Sequence, residues 1–139
     1  MDRVNDLFAA ALAAKARAYA PYSRFSVGAA LLTPAGTIYA GANVENAAYP
    51  VGSCAEASAI SAMVAGGETA IAAVLVVGDG QALVTPCGAC RQRIREFAAD
   101  DVPVHLAALD GVRRTMSAAE LLPVAFGPDR LPAKEGARG

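Results

Sequence analysis

Apolar positions recur at helical spacing near the start of the chain: Val4, Leu7, Phe8, Ala11 and Leu12 fall at i, i+3, i+4, i+7 and i+8. They form one stripe on a helix predicted over residues 2–17. Ala20-Pro21 closes this segment, because a residue before proline avoids the helical region. The period then shortens. Residues 26–32 and 37–42 read as strands, and Thr33-Pro34-Ala35-Gly36 between them has the composition and length of a hairpin turn, which predicts an antiparallel pair. Pro50 and Gly52 mark residues 43–53 as a loop. A helix is predicted over 54–65, stopped by Gly66-Gly67. Residues 73–77 are wholly apolar, the signature of a strand buried on both faces. Thr85-Pro86 precedes a helix over 87–99, a strand follows over 102–109, and Asp110-Gly111 turns it back into 112–116. Ser117-Ala118-Ala119-Glu120 fits a capping box opening a short last helix. The order ββαβαββ, with helices at both ends, predicts an α/β fold of three layers, a mixed five-stranded sheet with helices on both faces.

At 139 residues the chain suits one domain, expected over 1–126, with a Gly-, Pro- and charge-rich tail over 127–139 expected to be disordered. Apolar residues make up 55% and charged ones 18%, a balance that points to an oligomer, tempered because 34 residues are alanine and bury little area each. The net charge of −1 and pI of about 5.8 provide no basic footprint for a nucleic acid. No apolar run approaches the ~20 residues of a membrane span. The apolar stretch 7–14 is short, follows Asp2 and Asp6, and precedes Lys15 and Arg17, so a secretory signal is not expected and a cytoplasmic protein is.

The three cysteines, an odd number, argue against a disulfide framework. Cys87 and Cys90 stand at i, i+3 at the start of a predicted helix, where the helix N-terminus favours the metal-binding thiolate. Alone, Cys87-Gly88-Ala89-Cys90 fits a zinc knuckle or a redox pair. Cys54 also opens a predicted helix, with Glu56 in its first turn. Three cysteines without an obvious fourth ligand match an open, catalytic zinc site rather than a closed structural one. His105, inside a predicted strand, reads as a core or edge histidine.

Cys54-Ala55-Glu56 with Pro86-Cys87-Gly88-Ala89-Cys90 resembles the signature of zinc-dependent deaminases. Tyr22 to Leu32, Gly41-Ala42-Asn43-Val44-Glu45-Asn46-Ala47-Ala48-Tyr49, Cys90-Arg91-Gln92 and Glu120 to Phe126 extend the resemblance to the short, homotetrameric, three-cysteine cytidine deaminases of pyrimidine salvage. It implies a cytidine deaminase-like fold and the hydrolytic deamination of cytidine and deoxycytidine with release of ammonia. It also implies one Zn2+ per subunit on Cys54, Cys87 and Cys90, with Glu56 as the proton shuttle. Asn43 and Glu45 would bind the ribose 3′-hydroxyl and Phe25 would stack on the pyrimidine. The backbones of Ala55 and Thr85 would meet the base O2 and the exocyclic amine, and Tyr49 and Phe126 would complete a neighbouring subunit's pocket.

One position departs from the family. Cysteine-only members often carry arginine after the glutamate, where this chain has Ala57. Three thiolates on a dication leave net −1, so the helix N-termini and Arg91, next to Cys90, are the expected compensation. Competing readings are a deaminase of a modified cytosine nucleoside, a polynucleotide deaminase, a thiol–disulfide protein using Cys87 and Cys90, and a non-catalytic zinc scaffold.

Overall fold

A computed structural model describes residues 2–132. Helix α1 spans Val4–Lys15 and is followed by β1 (Val27–Leu32), β2 (Ile38–Ala42), α2 (Ala55–Ala65), β3 (Ala73–Gly78), α3 (Gly88–Phe97), β4 (Pro103–Ala108), β5 (Gly111–Ser117) and α4 (Ala118–Leu121). The sheet has the order β2-β1-β3-β4-β5. β1 pairs antiparallel with both β2 and β3, β3 pairs parallel with β4, and β4 pairs antiparallel with β5. This is the mixed five-stranded sheet that the ββαβαββ pattern predicts.

The period-two alternation assigns each strand residue to a face. Ala30, Leu75 and Val77 lie with Leu7 and Ala11 of α1, whereas Leu31, Val74, Val76, Val104 and Leu106 lie with Met63 of α2, Ile94 of α3 and Leu121 of α4. All six residues of β3 are buried, as expected of a strand covered on both sides. Two of the signals that bound elements act as read. Gly67 takes φ +93°, and the N–H groups of Glu68 and Gly67 donate to the carbonyls of Met63 (3.1 Å) and Val64 (3.0 Å), a Schellman closure of α2. Ser117 and Glu120 form the predicted capping box.

Several boundaries differ from the sequence reading, α1 among them, which spans Val4–Lys15 rather than 2–17. Cys54 and Cys87 have extended backbones and act as N-caps, so each helix begins one residue later. α3 stops at Phe97 because Ala98 turns extended and bridges to Ile71. Residues 43–53 hold a single 3-10 turn, Tyr49–Val51, with Pro50 in its first positions, and Val44 bridges both Tyr19 and Ser53. In the stretch expected to be disordered, Pro128–Arg130 forms a 3-10 turn and Asp129 pairs with Arg95 at 3.3 Å; residues 133–139 lie outside the described ones.

Two glycines set the distance between layers. A Cβ on Gly28 would overlap the Ala11 carbonyl oxygen of α1, and one on Gly41 would overlap the Ala59 backbone nitrogen of α2. Backbone cannot move aside as a side chain can. Gly28→Ala and Gly41→Ala are therefore each expected to lower stability by about 3 kcal/mol, the upper end for overpacking, and the melting temperature by about 10 °C. Gly88→Ala, where a Cβ meets nothing within 4 Å, should shift stability by less than about 1 kcal/mol. Denaturant unfolding of the three variants checks this ordering.

Candidate active site

β2, β3 and β4 run in the same direction, so α2, which follows β2, and α3, which follows β3, both begin at the carboxyl edge of the sheet. Ligands collect at this edge in open α/β sheets. Cys54 caps α2, Cys87 caps α3 and Cys90 sits in the first turn of α3. Their sulfurs lie within 4.8 Å of one another. A tetrahedral ion with Zn–S bonds of about 2.3 Å needs sulfurs about 3.8 Å apart, a spacing within that bound. The donor set, all thiol and three in number, fits a zinc site with one open position.

The thiols differ in their surroundings. Cys87 is exposed and its thiol is pulled down, first by the backbone N–H of Cys90. Burial pushes the Cys54 and Cys90 thiols up. Glu56, in the first turn of α2, is only 4% exposed, and burial raises its carboxyl above the usual range. A carboxyl group and three sulfurs thus share one partly dehydrated corner.

Beside this corner opens a cleft of about 550 Å³ whose walls include Tyr22, Ser23, Asn43, Glu45, Tyr49 and Cys54. Glu45 Oε1 accepts from the N–H groups of Tyr22 (3.0 Å) and Ser23 (3.1 Å), and Oε2 accepts from the Ser23 hydroxyl. These contacts, the Ser23 hydroxyl first, hold the Glu45 carboxyl below its usual range. Asn43 Oδ1 accepts from the Val27 N–H at 2.9 Å, and its Nδ2 donates to the Phe25 carbonyl at 2.8 Å. Tyr49 is 76% exposed and meets Tyr22 edge-to-face at 5.9 Å.

The remaining candidates scatter around this centre. Ala55 is buried and Thr85 exposed, at the starts of α2 and of the approach to α3. Phe25 is half-buried, its ring against Gly78. Phe126 is 58% exposed, and its carbonyl accepts from Gln92 Nε2 at 2.7 Å. His105 is half-buried on the internal strand β4, and its Nδ1 lies 2.8 Å from Thr115 Oγ1. The hydrogen bonds of Arg91 go to backbone rather than to a sulfur: its guanidinium donates to the carbonyls of Pro86 (2.8 Å) and Leu121 (3.0 Å). Arg93 reaches a sulfur instead, with Nη1 at 3.4 Å from Cys90 Sγ. The expectation for Arg91 rested on adjacency in sequence, but side chains one residue apart on a helix point about 100° away from each other, whereas i and i+3 share a face. That spacing was the signal for Arg93. Ser23, the hydroxyl that grips Glu45, carried no signal of its own.

The family model described as the cytidine and deoxycytidylate deaminase zinc-binding region matches residues 1–106. A cytidine deaminase of Sporosarcina psychrophila is 46% identical over 128 residues, 92% of this chain and 94% of that protein. One from Halalkalibacterium halodurans is 44% identical over 126 residues, 91% and 95% of the two. Among solved structures, a cytidine deaminase from Burkholderia pseudomallei superposes with a TM-score of 0.84 at 44% identity, covering 91% of this chain and all of that one. One from Mycobacterium tuberculosis superposes with a TM-score of 0.76 at 36% identity, covering 88% and 96%.

If the three sulfurs are the zinc ligands, the purified protein should carry about one zinc per chain. Replacing Cys54, Cys87 or Cys90 singly by serine should reduce that content to a small fraction, measured by atomic absorption. Full retention in any one variant removes that cysteine from the set.

Proposed function

This chain belongs to the cytidine and deoxycytidylate deaminase family, and we propose that it hydrolyses the exocyclic C–N bond of cytidine and deoxycytidine, yielding the uracil nucleosides and ammonia. The observation that carries this reading is the meeting of Cys54, Cys87 and Cys90 with the buried Glu56, next to a cleft that holds Asn43 and Glu45.

Cys54, Cys87 and Cys90 would hold the zinc, which when bound would supply Lewis-acid activation of the water consumed in the reaction. Glu56 moves the protons. Its carboxylate takes one from that water and delivers it to N3 of the pyrimidine, which makes C4 electrophilic. The hydroxide left behind adds to C4, and Glu56 carries the second proton from the added hydroxyl to the exocyclic nitrogen, whose bond to C4 breaks as ammonia departs. Burial favours the protonated form that Glu56 must hold between these transfers. Asn43 and Glu45 bind the sugar 3′-hydroxyl, Phe25 stacks on the base, and the backbones of Ala55 and Thr85 receive O2 and the exocyclic amine.

The exposed apolar residues support a homotetramer whose neighbours complete each site. Val124 is 95% exposed and holds φ +51°, a conformation rare for a β-branched residue, and Phe126 and Tyr49 are exposed as well. In this reading Tyr49 and Phe126 reach a neighbouring subunit's cleft. Among the described residues no helix is long and apolar enough to cross a membrane, which accords with a cytoplasmic place in pyrimidine salvage.

Glu56→Gln keeps the shape of the side chain and removes its proton traffic. The variant should retain zinc and lose at least about 10²–10⁴ in kcat, and turnover near wild type would overturn the assignment. Incubation of the protein with cytidine, deoxycytidine, adenosine and a cytosine-containing oligonucleotide should release ammonia from the first two alone.

A further inference from the structure

We propose that Arg93 is the counter-cation of the three-sulfur site, a positioning residue whose charge helps the cluster retain its metal. The inference rests on the ligand set above and extends it to a residue that touches a ligand.

The three arginines on α3 have separate partners. Arg91 is spent on the carbonyls of Pro86 and Leu121, which brace the segment before the helix. Arg95 pairs with Asp129 at 3.3 Å. Arg93 faces no carboxylate in an ion pair among the described residues, and its hydrogen-bond acceptor there is Cys90 Sγ, at 3.4 Å. Cys90 and Arg93, at i and i+3, share a helix face, and that face looks onto the sulfur cluster.

Charge gives this contact its purpose. Three thiolates around a divalent ion sum to −1, and one guanidinium brings the cluster to neutrality. The Glu56 carboxyl, buried in the same corner, adds to the negative field, and Arg93 is the cation that acts on it and on all three sulfurs. Cys90 is itself fully buried, so bulk water does not compensate the charge on its sulfur. Partners that hydrogen-bond a metal ligand typically change metal affinity or activity by 10–100-fold when removed. Arg93 lies on the exposed side of α3, where solvent screens charge, so the low end of that range applies.

The test uses the zinc-loaded protein. Zinc transfer to a colorimetric chelator is followed at neutral pH in low and high salt for wild type, R93A, R93Q and R93K, with the melting temperature of each. R93A and R93Q should release zinc about tenfold faster at low salt, with the difference shrinking at high salt. R93K should fall between them and wild type, because it keeps the charge and loses the planar fork. Wild-type release by R93Q overturns the proposal, since glutamine can donate the hydrogen bond but lacks the charge. So does a lowered melting temperature with unchanged release, the mark of a purely structural arginine. C90S run in parallel separates the two readings. If it keeps zinc, the ligand set fails and Arg93 with it; if it loses zinc while R93A is unaltered, the proposal for Arg93 alone fails.

Discussion

The close approach of α2 to the backbone of β2 is the constraint on which the site depends. Gly41 leaves no Cβ between β2 and the Ala59 nitrogen, and Ala55, Ala59 and Met63 of α2 are completely buried against the sheet. The depth of that contact fixes where the first turn of α2 lies, and with it Cys54 and Glu56. Because β2 and β3 point the same way, α3 starts at the same edge and delivers Cys87 and Cys90 to the same place. Topology supplies the coincidence, and small residues set the distance. The alanine-rich composition is used in the interior as well: Ala11, Ala29, Ala30, Ala55, Ala59 and Ala118 are all buried, letting helices and strands pack at short range.

Such packing creates an electrostatic problem in a chain with little charge. Burial opposes ionisation of Cys54, Cys90 and Glu56, yet metal binding requires thiolates. The helix N-termini answer part of this by presenting backbone N–H groups to the sulfurs, most plainly at Cys87. Zinc answers most of the remainder. Site order and metal occupancy are therefore coupled: a dication makes the thiolates stable in a corner that would otherwise protonate them.

Much of this was legible in the sequence because it depends on local rules. The apolar period together with the turn and capping residues between segments placed every strand and the four α-helices, and Gly66-Gly67 and Ser117-x-x-Glu120 set two helix ends through backbone geometry that those residues favour in any context. The sulfur cluster was legible because all three cysteines stand at helix starts. Arg91 was misplaced for the opposite reason. Its neighbour in the chain is a ligand, but direction on a helix depends on rotation, and Arg91 turns toward two carbonyls that belong to other segments. The 3-10 turn at Tyr49–Val51 was hidden because Pro50 is compatible with a turn or an irregular loop, and contacts distant in sequence select between them. The grip of Ser23 on Glu45 joins positions 22 residues apart, beyond the reach of any periodic signal.

That grip explains how a cleft walled by loops can be ready for a ligand. Both side chains assigned to the sugar already serve the protein. Glu45 Oε1 is occupied by two backbone N–H groups, and Oε2 by one hydroxyl. Asn43 spends one acceptor and one donor on the Phe25–Val27 backbone. Ser23 closes the circuit by accepting from the Phe25 N–H at 3.0 Å. What remains is a spare lone pair on Oε2 and a spare hydrogen on Asn43 Nδ2, a set that matches one hydroxyl group donating to the first and accepting from the second. In the proposed function a sugar hydroxyl would join a network that is already formed, leaving little ordering for the binding step. The same bonds fix the backbone of Phe25, the ring assigned to the base. Under that proposal recognition of sugar and of base would be one mechanical unit, in which loosening either end is felt at the other.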